Sequence, residues 1–382
     1  VPADVSLKVV EECIKKGVKS IILISGGFSE LGNKIGKKRE KVLKNLLSKG
    51  ECRLLGPNMI GVYDAHTKLD TVFLKKDKLP RPPPGSIAFI SQSGAIGAAV
   101  LDYLSKKGIG ISKFVSYGNA ADVNETDLIE FLGKDSKTHV ITSYIEGIKG
   151  DGKKFISICK RVTKKKPILI LKAGKTRIGR RAVASHTGSM AGSSRIYSAA
   201  FKQCGIIEVE TIEELFEFGK AFVMQPLPKG NRLCIVTNGG GFGVLATDEA
   251  ERQGIALPDL SEGLRRKLKR KMPEHVILHN PLDVTGDTTT ERYKIVLKEI
   301  IRSKEFDGIL VIIITQVPLL DETIADVLIR MNEKSKIPII VCSTSTKLSE
   351  KLEKNNIPCY FLPEKAVKAF ALMVRYSAWK HS

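Results

Sequence analysis

Short runs rich in Val, Ile and Leu alternate along this chain with longer stretches in which apolar residues return every three or four positions. The first pattern predicts strands and the second amphipathic helices. Strands are expected at residues 20–24, 86–90, 113–116, 139–145, 167–171, 232–237, 308–314 and 337–342. Between most of them lies room for a helix of about 10 to 14 residues. Such alternation predicts an α/β chain, with parallel sheets that carry helices on both faces.

Two punctuated stretches divide the pattern. Leu79-Pro-Arg-Pro-Pro-Pro-Gly85 predicts a stiff extended linker, and Gln225-Pro-Leu-Pro-Lys-Gly230 a second joint. They cut the 382 residues into blocks 1–80, 81–226 and 227–382, a division that fits the usual size of domains.

Composition removes several classes. Hydrophobic residues make up 42% of the chain, too many for a disordered basic tail. The longest apolar run, 309–314, has a strand's length, so no membrane association is expected, and no signal-peptide pattern opens the chain. The cysteines (Cys13, Cys52, Cys159, Cys204, Cys234, Cys342, Cys359) are odd in number and never form C-x-x-C, which predicts neither a disulfide framework nor a zinc site. With no H-E-x-x-H either, no metal site is expected. A reducing, cytoplasmic setting fits best.

A net charge of +21 points to an anionic partner: nucleic acid, a membrane surface, a phosphorylated small molecule or an acidic subunit. The cations are scattered over predicted helix faces (Lys15, Lys16; Lys106, Lys107; Arg265 to Lys271), without a recognition motif and with only 6% aromatic residues. A nucleic-acid partner is therefore not expected.

The second and third blocks open alike. Ser86-Ile-Ala-Phe-Ile90 runs into Ser91-Gln-Ser-Gly-Ala95, and Arg232-Leu-Cys-Ile-Val236 into Thr237-Asn-Gly-Gly-Gly241. At the carboxyl edge of a parallel sheet such a turn exposes the free N–H groups of a helix start, a ready anion site. It also serves plain tight strand-to-helix packing. Gly241-Phe-Gly-Val-Leu-Ala246 matches G-x-G-x-x-A, with Asp259 near the place of a ribose-binding acid, so a dinucleotide-binding domain is an alternative.

The segment 172–192 follows a predicted strand and is too long, small and polar for an ordinary connection, which predicts a functional loop. Its cations Lys172, Lys175, Arg177, Arg180 and Arg181 gather around His186, flanked by Ser185 and Thr187. A neutral imidazole in a basic setting can attack phosphorus, with helix N-termini stabilising the added charge. His139 falls within a strand, while His66, His275 and His279 fall in loops with no evident partner. An attacking imidazole needs a group that fixes its tautomer. Glu146, at the carboxyl end of the strand before the His186 loop, is that candidate.

Ser91-Gln-Ser-Gly-Ala95, Tyr144-Ile-Glu-Gly147, Ser185-His-Thr-Gly188, Thr237-Asn-Gly-Gly-Gly241 and Asn280-Pro-Leu-Asp-Val-Thr-Gly286 occur in this order. Together they closely resemble the α subunit of the ADP-forming acyl-CoA synthetases, relatives of succinyl-CoA synthetase. Leu54-Leu-Gly-Pro-Asn-Met-Ile-Gly61 resembles the Gly-Pro-Asn signature of their CoA-binding domain. The resemblance implies a partial Rossmann-like CoA domain followed by two flavodoxin-like domains. It also implies interconversion of acyl-CoA, ADP and phosphate with acid, CoA and ATP through an acyl phosphate and a phosphohistidine. By motif, His186 is the nucleophile and Glu146 its orienting carboxylate. The helix starts at Ser91, Ser93 and Gly94, and at Asn238, Gly239, Gly240 and Gly241, hold phosphate, and Ser25, Gly27 and Asn58 lie at the CoA edge. In that family a strand and a Gly-rich loop precede the position of Val1, so an N-terminal truncation is expected. No ATP-grasp pattern is present, which implies a partner β subunit that carries ADP or ATP with Mg, in a heterotetramer. A related non-catalytic acyl-CoA sensor is the other reading, disfavoured by the presence of both His186 and Glu146.

Overall fold

The longest β-branched runs become the central strands of two parallel sheets. A computed structural model describes residues 1–187 and 193–382, with the side chains of 184–187 outside that description. Val1–Gly219 and Lys220–Ser382 form two compact units.

The first unit holds β1 (Ser20–Ile22), β2 (Arg53–Leu55), β3 (Val62–Asp64), β4 (Pro84–Ser91), β5 (Ile111–Ser116), β6 (Val140–Ile145), β7 (Ile168–Lys172) and β8 (Ile207–Val209). β1 and β2 make a small parallel pair, with Ser20 opposite Arg53. The other six form one sheet in the order β3-β5-β4-β6-β7-β8, parallel except for the antiparallel edge β3. Starting from β4, the parallel order is that of a flavodoxin-like sheet, with the chain reversing direction across β4 and β6. Ligands of such sheets bind outside the carboxyl ends of the two strands at that switch point.

The second unit repeats the plan. β9 (Leu233–Thr237), β10 (Leu282–Asp283), β11 (Gly308–Ile313), β12 (Ile339–Ser343) and β13 (Cys359–Tyr360) take the order β10-β9-β11-β12-β13, all parallel. Every residue of β9, β11 and β12 is buried, as expected of strands covered on both faces.

Both flavodoxin-like orders agree with the expected fold class. Pro84 and Gly85, expected in the linker, already belong to β4. The preceding residues are pinned by the buried Arg81 side chain, which bonds Asp70 and the carbonyls of Val72 and Leu74. β3, in the first sequence block, bonds to β5 in the second. The expected loop 172–192 contains a helix, Arg177–Thr187. Arg and Ala favour helix, and the Thr176 hydroxyl caps it by accepting the Gly179 N–H at 3.0 Å. His139 precedes β6 by one residue. His66 bonds the Gly85 carbonyl, His275 the Asp287 carboxylate and His279 that of Asp259, so these three do have partners. All seven cysteines are free thiols.

Candidate functional site

A cavity of about 730 Å³ opens at the β4/β6 switch point of the first unit. Ser93, Gly94 and Ala95 form one wall, Glu146 and Lys149 a second, and Ser25, Gly26 and Asn58 a third. Of the sequence candidates, Ser93, Gly94, Glu146, Ser25 and Asn58 thus border one space, whereas Ser91 and Gly27 do not line it.

The first wall is a helix start. Ser93 caps the helix Gly94–Lys107 by accepting the Ile96 N–H at 3.3 Å. Gly94 and Ala95, its first residues, have N–H groups with no partner inside the helix, and both line the cavity. Ser91 is buried beneath, and its hydroxyl donates to the Ser93 carbonyl at 2.7 Å, so it shapes the turn from below.

Glu146 leaves the end of β6 and is only 7% exposed. The Tyr144 hydroxyl donates to its carboxylate at 3.4 Å. Burial and the Glu146 charge push the Tyr144 phenol up to about 12, so it stays a neutral donor. Burial holds the Lys149 ammonium below its usual range, although the carboxylates of Glu40, Glu125 and Glu146 favour its charge. Among the described lining side chains Lys149 supplies the positive charge.

The third wall is built by the segments that follow β1 and β2. The loop after β5 zips onto the second of these: the N–H groups of Asn119, Ala121 and Val123 donate to the carbonyls of Pro57, Gly56 and Leu54. Asn58, with φ +61, bonds the Asn119 side chain at 3.2 Å. Asn119 in turn donates to Glu30 at 2.6 Å and to Glu40 at 3.1 Å. Burial works against the Glu40 charge, yet hydrogen bonds and the Lys44 cation hold its carboxyl below the ordinary range. Gly27, at φ +107, donates its N–H to Glu30, and its carbonyl accepts from the Arg39 guanidinium. The Ser25 hydroxyl donates to the Val1 carbonyl at 2.6 Å.

His186 falls in the last turn of the helix Arg177–Thr187, which packs beside the short turn Ser29–Leu31 near the Glu30 side of the cavity. Its side chain, like all of Gly188, lies outside the described residues.

The second glycine-rich turn lies in the other unit. The Asn238 amide is fixed at the end of β11, donating to the Ile314 carbonyl at 2.9 Å and accepting its N–H at 2.8 Å. Gly239 caps the helix Gly240–Gln253 without a side-chain bond, and Gly240 and Gly241 are exposed. Gly241, Gly243 and Ala246 all fall inside this helix, and Asp259 is engaged by Arg265 and His279.

Glu30, Asn119 and Lys149 line the cavity outside the quoted motifs, and Gln92 lines it from within Ser91-Gln-Ser-Gly-Ala95, where the sequence reading gave it no role. The turn Tyr117-Gly-Asn119 after β5 was a usable signal for Asn119; Lys149 lies three residues after Glu146 in the loop that follows β6.

Comparison with known proteins identifies the family. Residues 84–222 match the family model of the succinyl-CoA ligase like flavodoxin domain. The α subunit of ADP-forming acetate–CoA ligase I from Pyrococcus furiosus is 41% identical over the whole chain, which spans 82% of that relative. The ADP-forming 4-hydroxybutyrate–CoA ligase of Nitrosopumilus maritimus is 36% identical over 98% of the chain, which spans 54% of it. An acetyl-coenzyme A synthetase of Ca. Korarchaeum cryptofilum, solved with phosphate and ADP, superposes with a TM-score of 0.92 at 37% identity, covering all of this chain and 82% of that one. The chain belongs to the ADP-forming acyl-CoA synthetases, ligases of the acetate–CoA type, and corresponds to their α subunit.

Proposed function

We propose that this chain carries the phosphoryl group of an ADP-forming acyl-CoA synthetase on His186. Phosphate attacks the thioester carbonyl, the C–S bond breaks and CoA thiolate leaves, giving an acyl phosphate. The His186 imidazole then displaces the carboxylate from phosphorus, and ADP takes the phosphoryl group to become ATP. Glu146 holds the imidazole tautomer and stabilises the charge that forms on it.

The observation that carries this reading is the meeting, in one cavity, of the buried carboxylate of Glu146 with the free helix start at Gly94 and Ala95. N–H groups there stabilise a transferring phosphoryl without reorganisation. Ser91, Ser93 and Gly94 form the first phosphate turn, and Asn238, Gly239, Gly240 and Gly241 the second. Ser25, Gly27 and Asn58 border the acyl-CoA. The blocks 1–80, 81–226 and 227–382 act as the CoA part, the ligase domain that bears the histidine, and the second ligase domain.

The nucleotide site, ADP or ATP with Mg, belongs to an ATP-grasp β subunit in a cytoplasmic heterotetramer. In support, two similar proteins are named as α subunits. Mixing this chain with such a β subunit tests the assignment: ATP should form from acetyl-CoA, phosphate and ADP only when both are present. ATP formation by this chain alone would contradict it.

A further inference from the structure

The turn after β6 gives four consecutive backbone N–H groups to side chains from three other places in the fold. Glu146 and Gly147 donate to Gln92 Oε1 at 2.7 and 3.2 Å. Ile148 donates to the Tyr197 hydroxyl oxygen at 3.2 Å, and Lys149 to Glu125 Oε1 at 2.9 Å. Backbone satisfied by side chains, with no ladder beyond the strand end, takes its geometry from those side chains.

Tyr197 differs from the other two in its place. It stands on the helix Ser194–Gln203, on the far side of His186 in the chain, and its ring packs against Phe201 with centroids 6.0 Å apart. Over the same ring, 4.6 Å from its centroid, lies Lys172 Nζ. Lys172 ends β7, on the near side of His186, and is 2% exposed. Burial disfavours its charge, while the Glu146 carboxylate favours it. The two elements that flank the His186 helix therefore meet each other at the Lys172–Tyr197 contact, and meet the Glu146 turn through the Tyr197 hydroxyl.

We infer that Tyr197 and Lys172 are positioning residues for phosphoryl transfer: they tie both flanks of the histidine segment to the turn that carries Glu146. This rests on the reading of His186 and Glu146 given above. Neither side chain lines the cavity, so neither is assigned a contact with substrate. Their effect is on the geometry in which the imidazole meets the carboxylate, and small misplacements there are costly in rate.

The test uses the enzyme reconstituted with its β subunit. Steady-state kinetics and the initial rate of acid-labile labelling by ATP are compared for Tyr197→Phe, Lys172→Met, Lys172→Arg and His186→Ala, with melting temperatures alongside. Tyr197→Phe keeps the ring and loses the hydroxyl that accepts from Ile148. It should lower kcat and the labelling rate by about tenfold, with KM for acetyl-CoA within about twofold. Lys172→Met should do the same, and Lys172→Arg, which keeps a cation over the ring, should recover most of the loss. Wild-type labelling by Tyr197→Phe, or a loss confined to KM, overturns the inference; if Lys172→Met does not fold, Tyr197→Phe still decides. Failure of the underlying reading shows separately, as label retained by His186→Ala, and that result sinks both.

Discussion

Gln92 Oε1 accepts the backbone N–H of Glu146 at 2.7 Å, joining two residues 54 apart in sequence. The bond spans the switch point between β4 and β6, so one amide oxygen fixes the distance between the turn proposed to hold phosphate and the carboxylate proposed to orient His186. Gln92→Ala leaves the N–H groups of Glu146 and Gly147 without this acceptor, at a cost of about 1–3 kcal/mol in stability. The turnover rate should fall by about 10²-fold. Gln92→Glu keeps an acceptor and should retain more stability than Gln92→Ala. Kinetics and denaturant melts on the two variants check this; equal behaviour of Gln92→Ala and wild type would remove the clamp from the account.

Glu125 supports the same turn from within the protein. Burial pushes its carboxyl above the usual range, although backbone hydrogen bonds oppose the shift. A carboxyl raised on folding adds stability that is complete below its unfolded value, near 4.3, and is lost as pH rises through the folded value. Glu125→Gln does not titrate and keeps an acceptor for Lys149. Its melting temperature should therefore rise relative to wild type between about pH 4 and neutral pH. A difference independent of pH over that window contradicts the assignment.

Gly118 lines the cavity between the sides proposed for phosphate and CoA. Its φ is +54, and a Cβ there would stand 2.2 Å from the carbonyl oxygens of Pro57 and Asn58. Gly118→Ala must shift backbone, and should cost about 2–4 kcal/mol. Displacement of Asn58 should also raise KM for acyl-CoA more than KM for phosphate. Unchanged stability, or a rise in KM for phosphate alone, would argue against this wall as the CoA side.

The sequence was most readable where an element was long and apolar. The runs that became β4, β6, β9, β11 and β12 were expected within a few residues, because strands buried on both faces need unbroken Val, Ile and Leu. β2, β3, β8, β10 and β13, two or three residues each, are too short to show a period. The helix Arg177–Thr187 was hidden by its small and cationic composition. Glu146 was legible because a carboxylate at the end of an apolar strand is costly without a purpose. Gln92, Asn119, Lys149 and Tyr197 were not, since their roles arise from contacts such as Asn119 to Glu30, 89 residues apart, that no local pattern encodes.

Incubation of the reconstituted complex with ATP, followed by mapping of phosphorylated peptides under alkaline conditions, tests the phosphoryl-carrier role most directly. The predicted result is acid-labile, base-stable phosphate on the peptide that contains His186, absent from His186→Ala. Label retained at wild-type stoichiometry by His186→Ala, or carried as an acid-stable ester on another residue, would contradict it.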